Sequence, residues 1–75
     1  MKFEIFNRIA ESIDVILEPV GDSFQIPPEM TGEIDLANDR GVRIDIHQMN
    51  HINIWVEGHV TVKIGDSTME FSQIT

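Results

Sequence analysis

Three histidines, His47, His51 and His59, are the side chains of this 75-residue sequence best suited to binding a metal. Imidazole is a common ligand for zinc, nickel and iron, and a carboxylate from Asp45 or Glu57 would complete the ligand set. Residues an even number of positions apart on a strand share one face, so Asp45 and His47 project together. The spacing therefore suggests a metal site of His47, His51, His59 and Asp45; the alternative is that the histidines are solvated side chains on a sheet face.

Trp55 is the second unusual feature, because the alternation of the sequence directs it away from the apolar face. Its neighbours Ile54 and Val56 are typical of the buried side of a strand. An outward indole needs cover from the N-terminal segment (with Phe3 and Phe6), from a second subunit or from a ligand. The predicted partner-binding surface contains Trp55 and its neighbours on the polar face: Arg43, Asn53, Trp55 and Glu57.

No pattern typical of nucleophilic catalysis is present. The sequence has no Cys, and none of its serines lies in a Gly-x-Ser-x-Gly turn. It also lacks a glycine-rich loop of the kind that binds phosphates. These features favour a non-enzymatic function and predict no cofactor other than a divalent metal (zinc, nickel or iron) at the histidines.

The charge balance and size argue against several classes of protein. Lys and Arg number 5 and Asp and Glu number 13, for a formal net charge of −8, so the clustered positive charge that binds nucleic acid is missing. The longest purely aliphatic run, Val15-Ile16-Leu17, is too short to cross a membrane. The first residues lack a secretory pattern, which predicts a cytoplasmic protein. A domain this small without disulfides favours self-association, so we expect a homo-oligomer.

The acidic residues suggest a further alternative. They are densest at Glu29, Glu33, Asp35, Asp39 and Asp45. Such a surface usually keeps a protein soluble, but it also resembles a phosphate backbone electrostatically. An acidic inhibitor or nucleic-acid mimic that binds a basic partner is therefore one hypothesis.

The elements that must position these residues are β-strands. Ile and Val number 12 and 6, against two Leu and two Ala, and side chains branched at Cβ pack well on a pleated sheet. Residues 42–46, 52–56 and 60–64 alternate between apolar and polar. We predict a single all-β domain over residues 1–75, a small antiparallel barrel or sandwich with a meander from about residue 32 onward.

The N-terminal region is ambiguous. Phe3, Phe6, Ile9 and Ile13 recur at helical spacing, whereas Phe3 and Ile5 also alternate as in a strand. We expect a strand over about 13–18, preceded by a short helix or a hairpin, and residues 2–12 fit either helix or strand.

Two stretches resemble known families. The run from Leu17 to Pro28, with Glu18-Pro19-Val20-Gly21 at its start and Pro27-Pro28 at its end, is followed later by Ile52-Asn53-Ile54-Trp55. This resembles a group of short, uncharacterised bacterial β-proteins with a Glu-Pro-x-Gly turn, a Pro-Pro turn and an Ile-x-x-Trp strand. That resemblance implies a compact β fold and no particular activity.

The second resemblance is to cupins. Gly21-Asp22-x4-Pro27 is similar to one cupin motif and Glu57-Gly58-His59-Val60 to the strand between the motifs, in inverted order and with no His near Gly32. It implies a small metal-binding protein that uses His47, His51 and His59. The function expected first is nevertheless a non-enzymatic protein-binding or accessory module that self-associates or caps another protein, with the metal binder and the acidic inhibitor as alternatives.

Overall fold

The computed structural model of the chain describes residues 1–73, which form eight β-strands and no helix. The strands in chain order are β1 (Lys2–Phe6), β2 (Ile13–Glu18), β3 (Asp22–Ile26), β4 (Thr31–Leu36), β5 (Arg43–Gln48), β6 (His51–Trp55), β7 (Gly58–Ile64) and β8 (Ser67–Gln73). They make two open four-stranded sheets that pack face to face. The prediction of a small all-β sandwich is therefore confirmed, and the described part of the chain contains no helix able to span a membrane.

The strands alternate between the two sheets more often than a meander would. Sheet A has the order β1-β4-β7-β8 and is antiparallel throughout, whereas sheet B has the order β3-β2-β6-β5 with a parallel β2–β6 pair. The predicted continuous meander from residue 32 is wrong, although its two hairpins, β5–β6 and β7–β8, are present. The chain leaves sheet B after β6 and enters sheet A at Gly58. Its φ of 88° is a conformation that residue types other than glycine rarely adopt.

The N-terminal segment is a strand, so the expected short helix is not formed. β1 pairs with β4, placing Phe3 opposite Ile34 and Ile5 opposite Gly32. The alternative of a hairpin between β1 and β2 is also wrong, because these strands lie in different sheets. This segment forms a strand and not a helix because the alternate residues Phe3 and Ile5 both pack against the core.

The core lies between the two sheets and is made almost entirely of aliphatic side chains. Its buried members are Ile13, Val15, Leu17, Phe24, Ile26, Ile34, Leu36, Ile52, Ile54, Val56, Val60, Val62 and Ile64. Phe24 of β3 stacks on Phe71 of β8, with ring centroids 6.0 Å apart, and so joins the two sheets. Strand β5 contributes none of the buried members.

Candidate functional site

The predicted chemistry-bearing residues concentrate on the β5–β6 hairpin. In its register Arg43 lies opposite Trp55 and Asp45 opposite Asn53. Directly paired residues of an antiparallel ladder share a face, so these four side chains lie together on the outer face of sheet B. The structure therefore brings together three of the four predicted partner-binding residues, with Asp45 added to them.

Arg43, Asp45 and Trp55 form one connected cluster on that face. The indole Nε1 of Trp55 donates a hydrogen bond to Asp45 Oδ2 at 3.0 Å, and Arg43 Nη2 lies 3.2 Å from the same oxygen. The guanidinium carbon of Arg43 sits 5.1 Å from the centre of the indole ring, a cation–π distance. Cover for Trp55 thus comes from the neighbouring strand, while Phe3 and Phe6 belong to β1 in sheet A.

Asn53 and Glu57 flank the cluster in different ways. Asn53 is half-buried, and its Oδ1 is closed to solvent and has no hydrogen-bond donor among the described residues. Glu57 is exposed in the link after β6, where it lines a cleft of about 330 Å³ together with Pro19, Arg40 and Trp55. Trp55 is therefore common to the cluster and to this cleft.

The structure brings together two of the three histidines. The rings of His47 and His51 meet edge to face, with centroids 5.4 Å apart, next to a bulge in β5 between Ile46 and Gln48. His59 lies in sheet A, where its Nε2 is 3.1 Å from Glu70 Oε1. Within residues 1–73, no group of three or more His, Cys, Asp or Glu side chains is close enough to hold a metal ion.

The acidic stretch is spread over the molecule. Glu33 and Asp35 lie in β4 of sheet A, Asp45 lies in β5 of sheet B, and Glu29 and Asp39 lie in the connections on either side of β4. Glu33 is paired with Lys63 across the β4–β7 ladder. The carboxylates of this stretch are therefore divided among the two sheets and the connections and do not form one face.

The inner face of β5 is the feature that sequence reasoning missed. Ile44 and Ile46 are 46% and 72% exposed, yet Ile54 and Ile52, their direct partners on β6, are 0% and 8% exposed. Both strands alternate in the same way, so no local signal in the sequence separates the covered strand from the uncovered one. Met49, in the turn after β5, is exposed as well.

The fold and the hairpin define a small two-sheet β-sandwich in which one edge strand keeps its apolar face open. Comparison with protein-family models, with curated proteins and with solved structures finds no match to this chain. The geometry of the β5–β6 hairpin therefore carries the functional argument.

Proposed function

We propose that this chain is a non-enzymatic protein-binding module whose contact surface is the β5–β6 hairpin. The observation that carries the proposal is the exposure of Ile44 and Ile46 on the inner face of an edge strand. An edge strand presents backbone N–H and C=O groups that an added strand can bind. An exposed apolar surface beside such groups marks an interaction site.

The other three sheet edges do not share this exposure. On β3, Phe24 and Ile26 are buried. On β1 and β8 the corresponding side chains, such as Ile5 and Phe71, are half-buried and pack against the core. Open apolar surface on an inner face is thus a property of β5, which supports a role for this strand beyond folding.

The outer face of the hairpin supports the same proposal. Tryptophan and arginine are among the residue types enriched at the positions that contribute most of the binding energy in protein interfaces. Arg43 and Asp45 are already held by Trp55, through the cation–π contact and the indole hydrogen bond. Side chains that are ordered before binding lose less conformational entropy when a partner arrives.

The test compares binding by the wild-type chain with binding by an Ile44→Ser/Ile46→Ser variant. The control is Val20→Ser, because Val20 is similarly exposed but lies in the turn between β2 and β3. Immobilised chains are exposed to a cell extract, and self-association is measured in parallel by sedimentation velocity. Thermal unfolding checks that each variant folds.

We expect specific partners, a second copy of the chain included, to bind the wild type and Val20→Ser and to be lost from the double variant. Partners that bind the double variant as well as the wild type would contradict the proposal. So would a wild-type chain that binds neither another protein nor itself.

A further inference from the structure

The segment that contains the exposed edge strand β5 differs in net charge from the rest of the chain. The chain has a formal net charge of −8, yet in residues 38–50 the charges of Arg40 and Arg43 balance those of Asp39 and Asp45. The excess negative charge therefore lies outside this segment, with Glu18 opposite Trp55 in the β2–β6 ladder and Glu57 in the link after β6. Two copies of an acidic protein repel each other, and the repulsion is weakest where they meet through a neutral surface.

A basic partner would be drawn instead to the acidic parts of the molecule. The open strand β5 carries both signs on one face, with Arg43 65% exposed and Asp45 35% exposed. A surface with both charges two residues apart is complementary to itself when its copy runs in the opposite direction. This charge pattern favours a second copy of the chain over a basic protein.

We infer that two copies of this chain dimerise by antiparallel pairing of their β5 strands, with Arg43 of each copy opposite Asp45 of the other. This inference rests on the proposed function and names the partner. In this register Ile44 lies opposite Ile44 of the second copy, and Ile46 lies opposite Val42. Because opposed residues share a face, the apolar side chains meet on the inner side and the charged pairs meet on the outer side.

Neighbouring registers fit less well. A shift that centres the pairing on Asp45 brings the two Asp45 carboxylates together, which is unfavourable. A shift that centres it on Ile46 requires regular pairing through His47, where the ladder of β5 is already irregular. The inferred register uses Val42, which directly precedes β5, and residues 43–46 of the strand, all ahead of this bulge.

The interface is short, so we expect a weak dimer that dissociates when the protein is diluted. About five residues on each strand make a small contact compared with stable protein interfaces. The two sheets B would join into one eight-stranded sheet, and Ile44 and Ile46 would gain apolar neighbours on the inner face from the second copy. Pairing also removes the exposed edge at β5.

The test uses charge reversal and measures the dimer dissociation constant by sedimentation equilibrium. The variants are Arg43→Asp, Asp45→Arg and the double exchange Arg43→Asp/Asp45→Arg. Each single reversal places like charges opposite each other twice, and we expect it to raise the dissociation constant about tenfold or more. The double exchange restores both pairs, so its constant should lie within about threefold of the wild type.

The decisive experiment measures dimer formation after the two single variants are mixed. In a heterodimer of Arg43→Asp with Asp45→Arg, both opposed pairs are again of unlike charge, so an equimolar mixture should regain dimer. Each chain in the mixture still lacks its own Arg43–Asp45 contact, so rescue cannot come from repair within one chain. Thermal unfolding of each variant checks the fold.

Three results would overturn the inference: a wild-type chain that stays monomeric at every concentration, a dimer that the single reversals leave unchanged, or a mixture that shows no rescue. A monomeric wild type that still binds another protein through Ile44 and Ile46 would reject the dimer and leave the proposed function standing. Loss of both kinds of binding would reject the two together.

Discussion

The two edges of sheet B are built from the same residue types but differ in burial. On β3, Ile26 is completely buried and Phe24 stacks on Phe71 of the opposite sheet. On β5, Ile44 and Ile46 alternate in the same way and remain exposed. The comparison shows that an apolar side chain facing the core side of a sheet is buried only where the other sheet extends over it.

The edge of sheet B at β3, called the closed edge below, is covered by specific contacts. Asn7, which is fully buried, donates from its side-chain amide to the backbone oxygens of Glu11 and Ile26 at 2.8 and 2.9 Å, and accepts from Ile9 N at 2.9 Å. Gly32 in β4 lies so close to Ile26 that a Cβ there would be 2.8 Å from the isoleucine Cδ1. The side-chain amide of Asn7 is therefore fully hydrogen-bonded, and the packing leaves no room for a side chain at Gly32.

The largest expected difference between the edges comes from the same substitution on both. Ile26→Ala should lower the free energy of unfolding by about 2–5 kcal/mol, because it leaves a cavity in the core. Ile46→Ala should lower it by less than about 0.5 kcal/mol in the monomer, because the side chain is already in water. Urea unfolding at low protein concentration measures both, and equal costs would show that β5 is covered in solution.

A pair of asparagines sharpens the comparison at a smaller scale. Asn7→Ala should cost about 2–3 kcal/mol, because it removes the partners of three backbone groups at the closed edge. Asn53→Ala, the matched change on the hairpin, should cost less than about 0.5 kcal/mol, because its Oδ1 has no hydrogen-bond donor among residues 1–73. Chemical unfolding followed by circular dichroism tests both, and a large cost at Asn53 would mean that this amide has a partner.

The smallest difference is expected between two backgrounds of one Trp55 substitution. Trp55→Phe keeps an aromatic ring beneath Arg43 but removes the hydrogen bond to Asp45, so it should cost about 0.5–1 kcal/mol. The same substitution in an Asp45→Ala background should cost almost nothing if the bond is responsible. An equal cost in both backgrounds would attribute the loss to packing instead.

Local patterns predicted much of the hairpin. The alternation of residues 52–56 places Asn53 and Trp55 on one face and Ile52 and Ile54 on the other, and the structure has this arrangement. The strand expected over 13–18 is β2. These predictions succeed because the two-residue period of a strand is a property of the backbone itself.

The pairing of the strands could not be predicted in the same way. Phe3 and Ile5 form a strand whose partner, β4, lies about thirty residues away, and the parallel β2–β6 pair joins Val15 to Ile52. His59 follows the hairpin closely in sequence but lies in the other sheet. Such contacts depend on loop closure and packing over the whole chain, for which a local pattern contains no information.

The sequence by itself determined that this protein is all-β, which residues form most of its strands and which face of each strand is apolar. Only the tertiary structure decided which apolar faces are covered and which side chains meet, including the contacts of Trp55 with Arg43 and Asp45. The reason is that side-chain alternation follows from backbone geometry, whereas burial depends on what the rest of the chain places opposite. Ile26 and Ile46 are the same residue in the same kind of strand, and the opposite sheet covers one of them and not the other.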